Sequence, residues 1–130
     1  MASLLKVDTL TGVTTAGSIS VTGEGNSTTT NLQQGLAKAW VNATSSAVLQ
    51  DSNNIASGTD NGTGDYTFAL TNNMNNSTYG ITTSTQWASL ITFDPAERGT
   101  ASFNLRSFTR ADSLTVSDNE SGTAIHGDLA

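Results

Sequence analysis

Two stretches of this chain carry carboxylates at spacings that could support acid–base or metal chemistry. Asp60 and Asp65 bracket the run Asp60-Asn-Gly-Thr-Gly-Asp65, and Asp118 and Glu120 stand two apart in Asp118-Asn-Glu-Ser-Gly122. Glycoside hydrolysis uses carboxylate pairs, but it needs them held at a fixed separation across a cleft, and both pairs here are spaced as turn residues. Oxygen ligands in a glycine-rich loop also suit calcium. The run does not match the twelve-residue calcium loop with its terminal glutamate. Asx side chains bonding to their own turn backbone account for it more simply. His126 is the only histidine, cysteine is absent, and no serine sits in a Gly-x-Ser-x-Gly elbow. The expectation is no enzyme: no catalytic residue, no cofactor and no metal.

The elements that would position these residues can be read from the chain around Asp60. A turn at residues 60–64 runs straight into strict alternation, with Tyr66, Phe68 and Leu70 on one face and Thr67 and Ala69 on the other. That is a strand with one face buried. Asn61-Gly62 is a strong hairpin signal, because both residues tolerate the positive φ of a type I′ turn. Downstream, Tyr79 and Ile81 begin a further strand. Trp87, Ser89, Ile91 and Phe93 alternate with Ala88 and Leu90, so this strand is expected to be covered on both faces, by the domain or by a partner subunit. Pro95 ends it in a surface turn. Ala101, Phe103 and Leu105 face inward against Asn104 and Arg106, and Leu114 with Val116, then Ile125 with Leu129, supply the last strands.

Upstream, Leu32, Leu36 and Trp40 recur every four residues, whereas Ala39, Val41 and Ala43 alternate. Gly35 weakens a helix, so a connector or single turn is placed at 32–36 and the first strand at 38–43. Val48 and Leu49 follow, then a polar turn at Asp51-Ser-Asn-Asn54. Seven or eight short strands at this spacing indicate an all-β, antiparallel β-sandwich, with jelly-roll and Greek-key topologies both open. Trp40, Tyr66, Phe68, Trp87, Ile91, Phe93 and Phe103 are its expected core or subunit-contact residues.

The first 31 residues differ. Leu4, Leu5, Val7 and Leu10 make an apolar start, and Ile19 and Val21 alternate with Ser18, Ser20 and Thr22 as a hairpin turning near Ala16-Gly17 would. Such a piece is too small to bury its own core. Residues 23–31, GEGNSTTTN, read as a flexible or extended linker. Residues 1–31 are therefore expected to form an anchoring arm with Leu4, Leu5, Val7, Leu10, Ile19 and Val21 as its contacts, ahead of a β-domain at 32–130. The other reading is an edge addition to that domain.

Composition narrows the partners. Charged residues are 12% of the chain, against about 25% in ordinary domains. The formal charge is −6, and the five basic residues, Lys6, Lys38, Arg98, Arg106 and Arg110, form no dense patch in the sequence. Neither nucleic acid nor an anionic membrane is an expected partner. No stretch has the apolar length of a membrane helix, and the start MASLLKVD lacks the pattern of a secretory signal. Few large aromatics, and a strand apolar on both faces, point to a closed symmetric oligomer.

Gly35-Leu-Ala-Lys-Ala-Trp-Val-Asn42 and Asp60-Asn-Gly-Thr-Gly-Asp-Tyr-Thr-Phe68 together resemble paired motifs of tail-fibre and small virion proteins of tailed bacteriophages, especially phages of marine bacteria; Leu5-Lys-Val-Asp-Thr9 resembles their opening. The resemblance covers residues 3–12 and 35–80. It departs at Ala43, where an aromatic is usual, and around Asn53-Asn54, where an apolar residue is common. It implies a virion location and a trimer that serves as a fibre, decoration or adaptor; a short chain with a separate anchor then favours a capsid decoration or head-fibre protein bound to the major capsid protein. A short tail fibre or adaptor bound to a tail protein is the alternative. From another class, a β-sandwich adhesin that binds a host surface glycan meets the same pattern.

Overall fold

A computed structural model describes residues 4–13, 19–22, 29–85, 89–110 and 114–130. The chain forms two compact units, Met1–Leu36 and Ala37–Ala130. In the first, β1 (Ser20–Thr22) pairs antiparallel with β2 (Thr29–Asn31), and the single helical turn α1 (Leu32–Gly35) follows. The Leu32 N–H donates to the Ile19 carbonyl at 2.8 Å. The hairpin expected near Ala16-Gly17 lies outside the described residues. The end of the run read as a linker is a strand instead, since Thr29 and Thr30 are β-branched and suit a ladder.

The second unit is all-β and antiparallel. Its strands are β3 (Ala39–Ala43), β4 (Leu49–Asn53), β5 (Ile55–Gly62), β6 (Asp65–Leu70), β7 (Gly80–Thr85), β8 (Ser89–Phe93), β9 (Ser102–Arg110), β10 (Leu114–Val116) and β11 (Ser121–His126). One sheet has the order β4-β3-β11-β7. The other runs β5-β6-β9-β8, with β10 following β6 along the same edge of β9. The two sheets share one core, an arrangement consistent with a β-sandwich. Ala39, Val41, Ala43 and Ile125 meet Tyr66, Phe68, Leu70, Ile91, Phe103 and Leu105 there.

Three turns set this geometry. Asp51–Asn53, read from sequence as part of a turn, belong to strand β4; their polar side chains suit its position at a sheet edge. The chain then passes to the other sheet at Asn54 alone, with φ of 60°. The Asn54 amide donates to the carbonyls of Lys38 and Asn72, both at 3.1 Å, and its oxygen accepts the Asn72 N–H at 2.7 Å. Asparagine tolerates this left-handed backbone better than other residues with a side chain. Between β5 and β6 the loop is Thr63-Gly64 rather than Asn61-Gly62, with φ of +133° at Gly62 and +67° at Gly64. Between β3 and β4, the turn at Ala47 folds against β5: a Cβ on Gly58 would lie 2.1 Å from the Ala47 carbonyl oxygen. The turn thus lies over the inner face of β5, beside Phe68, where only a glycine leaves it room.

Candidate functional site

Asp60 and Asp65, paired by spacing, do not converge. Asp60 stands opposite Tyr66, on the core-side phase of the hairpin, whereas Asp65 stands opposite Arg106 on the outer face. Asp60 accepts the Gly62 N–H at 2.9 Å, an Asx turn. Asp65 lies 2.6 Å from the Arg106 guanidinium and accepts from the Asn104 and Asn61 amides at 2.7 and 3.2 Å. Burial raises the Asp65 pKa, but those two amides and the Arg106 charge together outweigh it and hold the group below its ordinary value. Among the described residues, no group of three His, Cys, Asp or Glu side chains could hold a metal ion.

Asp118 takes part in a different arrangement. The Tyr66 hydroxyl shares its proton between the Ser45 carbonyl and the Asp118 carboxylate, each at 3.1 Å, and accepts the Asn119 N–H at 3.1 Å. Asp118 also accepts the Gly64 N–H at 2.7 Å. The Asn119 amide donates to Ser107 Oγ and Ser117 Oγ at 2.8 and 2.7 Å, and its oxygen accepts from Ser89 Oγ at 2.9 Å. Burial first, then the Asp118 and Asp60 carboxylates, push the Tyr66 pKa up to about 12 against the Asn119 N–H. The phenol keeps its proton at neutral pH and all of its hydrogen-bonding capacity is engaged. It clamps the β3–β4 turn, the β5–β6 turn and the segment before β11 together.

A second clamp stands at Arg98. Its guanidinium lies over the rings of Tyr79 and Phe93, 5.5 and 5.2 Å from their centroids, and donates to the Tyr79 carbonyl at 2.9 Å. Cation–π contacts of this kind contribute about 0.5–2 kcal/mol each. The Tyr79 hydroxyl donates to the Gly99 carbonyl at 2.9 Å, tying the β8–β9 loop down.

The residues expected in the core divide by face. Tyr66, Phe68 and Phe103 are fully buried, Ile91 is 5% exposed, and Phe93 packs against the core from its margin. Trp40 is outside the core: Ala39, Val41 and Ala43 fill the inner face of β3, leaving the indole on the outer face at 37% exposure. Trp87 lies outside the described residues. Leu90, on the strand expected to be covered on both faces, is exposed; it stands opposite Phe108, which stands opposite Val116, so the three form one apolar row on the outer face. Ala101 is exposed rather than inward, and Asn104, on the outer phase of β9, is buried beside Asp65 and Thr67. In the first unit, Leu4, Leu5, Val7, Leu10 and Val21 are exposed and Ile19 is half-buried. The strand register brings Asn42, Gly122 and Ser84 into one row on the outer face, next to the row of Trp40. Comparison with protein families, with curated proteins and with solved structures yields no match.

Proposed function

We propose that this chain is a structural, non-enzymatic protein of a bacteriophage virion: a capsid decoration or head-fibre protein held to the major capsid protein by residues 1–31. The observation that carries this reading is the uncovered apolar set of the N-terminal unit. Leu4, Leu5, Val7 and Leu10 are 77, 79, 56 and 57% exposed. Large aliphatic side chains clustered in so short a segment favour burial against a partner. The β-domain then projects from the particle. We read its sandwich as Greek-key in type, since the last strand, β11, returns to lie beside the first, β3. Trimerisation is part of the proposal, supported by the Leu90–Phe108–Val116 row.

The test is quantitative mass spectrometry of purified particles, combined with add-back of the chain lacking residues 1–30. A copy number on the scale of the shell, with attachment lost in the truncated protein, is the expected result. A copy number of one or a few rings would make it a short tail fibre or tail adaptor instead. Full attachment of the truncated protein would refute the anchoring role, and absence from the particle would refute the reading as a whole.

A further inference from the structure

We infer that one end of the sandwich core, at the hydroxyls of Ser121 and Thr123, is a binding site for internal water. Both residues lie on the inner phase of β11 with Ile125 and are 2 and 5% exposed. Both hydroxyls are buried, and neither has a hydrogen-bond partner among the described residues. Buried polar groups are rarely left without one. Two such groups side by side on one strand face point to a ligand that supplies it.

The place of β11 in its sheet explains why the protein offers no partner. Thr83 and Thr85, on the inner phase of β7, carry the same kind of hydroxyl and discharge it at an open strand edge. They donate to the Ile91 and Ser89 carbonyls at 2.9 and 3.1 Å, and those carbonyls belong to β8, which is paired by β9 alone. β11 has no such edge beside it, because β3 and β7 pair with it on both sides. Opposite Ser121 and Thr123 on β3 stand Ala43 and Val41, whose side chains neither donate nor accept. Opposite them on β7 stand Thr85 and Thr83. Cross-strand neighbours of this kind have Cβ atoms about 4.5–5.5 Å apart, a span that a water can bridge. Each β7 hydroxyl has given its one proton to β8 and keeps a lone pair for that water.

The chemistry of the layer selects the ligand. It must donate and accept, since each unpartnered hydroxyl does both. It must also be small, because the space lies between two sheets packed about 10 Å apart. The rest of this end is polar and uncharged: Ser107 is fully buried, and the Asn119 amide joins it to Ser117 and Ser89. Polar cavities hold water, whereas apolar ones stay dry. An apolar ligand would leave both hydroxyls unpaired. Ser121 and Thr85 also border a pocket open to solvent at the start of β11, which gives water a way in. This inference does not rest on the virion reading.

The experiment is oxygen-17 magnetic relaxation dispersion of water in solutions of the full chain, which detects long-lived internal water and is blind to exchange of hydroxyl protons. Globular chains hold roughly one buried water per 27 residues, so the reading is the difference between the parent and the double variant Ser121→Ala, Thr123→Val. The dispersion amplitude should fall in the variant, with its amide spectrum still dispersed. Equal amplitudes would overturn the proposal. If the double variant does not fold, Thr123→Val alone, which keeps the shape of the side chain, is compared in the same way. A crystal structure of the parent that resolves ordered water gives an independent reading. Water within hydrogen-bonding distance of either hydroxyl is expected, and two hydroxyls bonded to protein atoms alone would overturn the site.

Discussion

Phe68 and Phe103 face each other across β6 and β9 with ring centroids 5.5 Å apart and planes inclined by 27°, and neither is exposed. The pair sits where the two sheets meet, so each ring contributes transfer energy and the offset stacking of a close aromatic pair. Phe68→Ala should lower stability by about 3–5 kcal/mol, from lost transfer energy plus the cavity left behind. Chemical denaturation checks this, and a loss below about 1 kcal/mol would contradict the packing described.

Tyr66→Phe should cost about 1–3 kcal/mol, because it leaves the Asn119 N–H and Asp118 without their buried partner. Its pH signature is specific. The folded pKa is raised above the unfolded value near 10, so the stabilisation is complete below pH 10 and is lost as pH rises towards about 12. Stability measured across that window should fall less steeply in Tyr66→Phe than in the parent. Equal slopes would mean that Tyr66 does not titrate in this way.

Asn54 separates two causes in one residue. Asn54→Ala loses the side-chain hydrogen bonds yet keeps a Cβ in left-handed backbone, a conformation that costs a residue without such local bonds roughly 1–2 kcal/mol. Asn54→Gly loses the same bonds but adopts that φ freely. The alanine variant should therefore be the less stable of the two in thermal unfolding; the reverse order would show that backbone conformation does not limit this corner.

Asp65→Asn should destabilise the domain at neutral pH. Because the folded-state pKa of Asp65 is lowered, its contribution is present above the unfolded value near 4 and is lost as pH falls through the folded pKa. The difference in urea midpoint between parent and variant should shrink in acid. A difference that is constant down to strongly acidic pH would show that the charge on Asp65 is not its source.

Association is expected to use the Leu90–Phe108–Val116 row. Light scattering of the isolated chain at micromolar concentration should give the mass of three 13.4 kDa chains, and Leu90→Glu should shift it towards the monomer by placing a charge in the contact. A parent that scatters as a single chain at all these concentrations would leave any association dependent on another protein.

Much of the local structure could be read in the sequence alone. Tyr66, Phe68 and Leu70 point inward, as do Phe103 and Leu105, because the pleat makes side chains alternate with period two and one face of each strand is buried. The single turn at Leu32 and the hairpin before Tyr66 were legible for the same reason: helical spacing, Gly and Asn act over a few residues. What covers each face was not legible, because it depends on strands distant in the chain. On β3 the size of Trp40 suggested a core residue, yet Ala39, Val41 and Ala43 hold the inner phase of the strand and leave the indole on the outer face. Asp60 and Asp65 look like a pair by spacing. The hairpin register puts them on opposite faces and gives Asp65 to Arg106, and only the meeting of three separate turns brings Tyr66 to Asp118. Alternation determines the phase of a strand, while the pairing of strands far apart decides which partners each face receives.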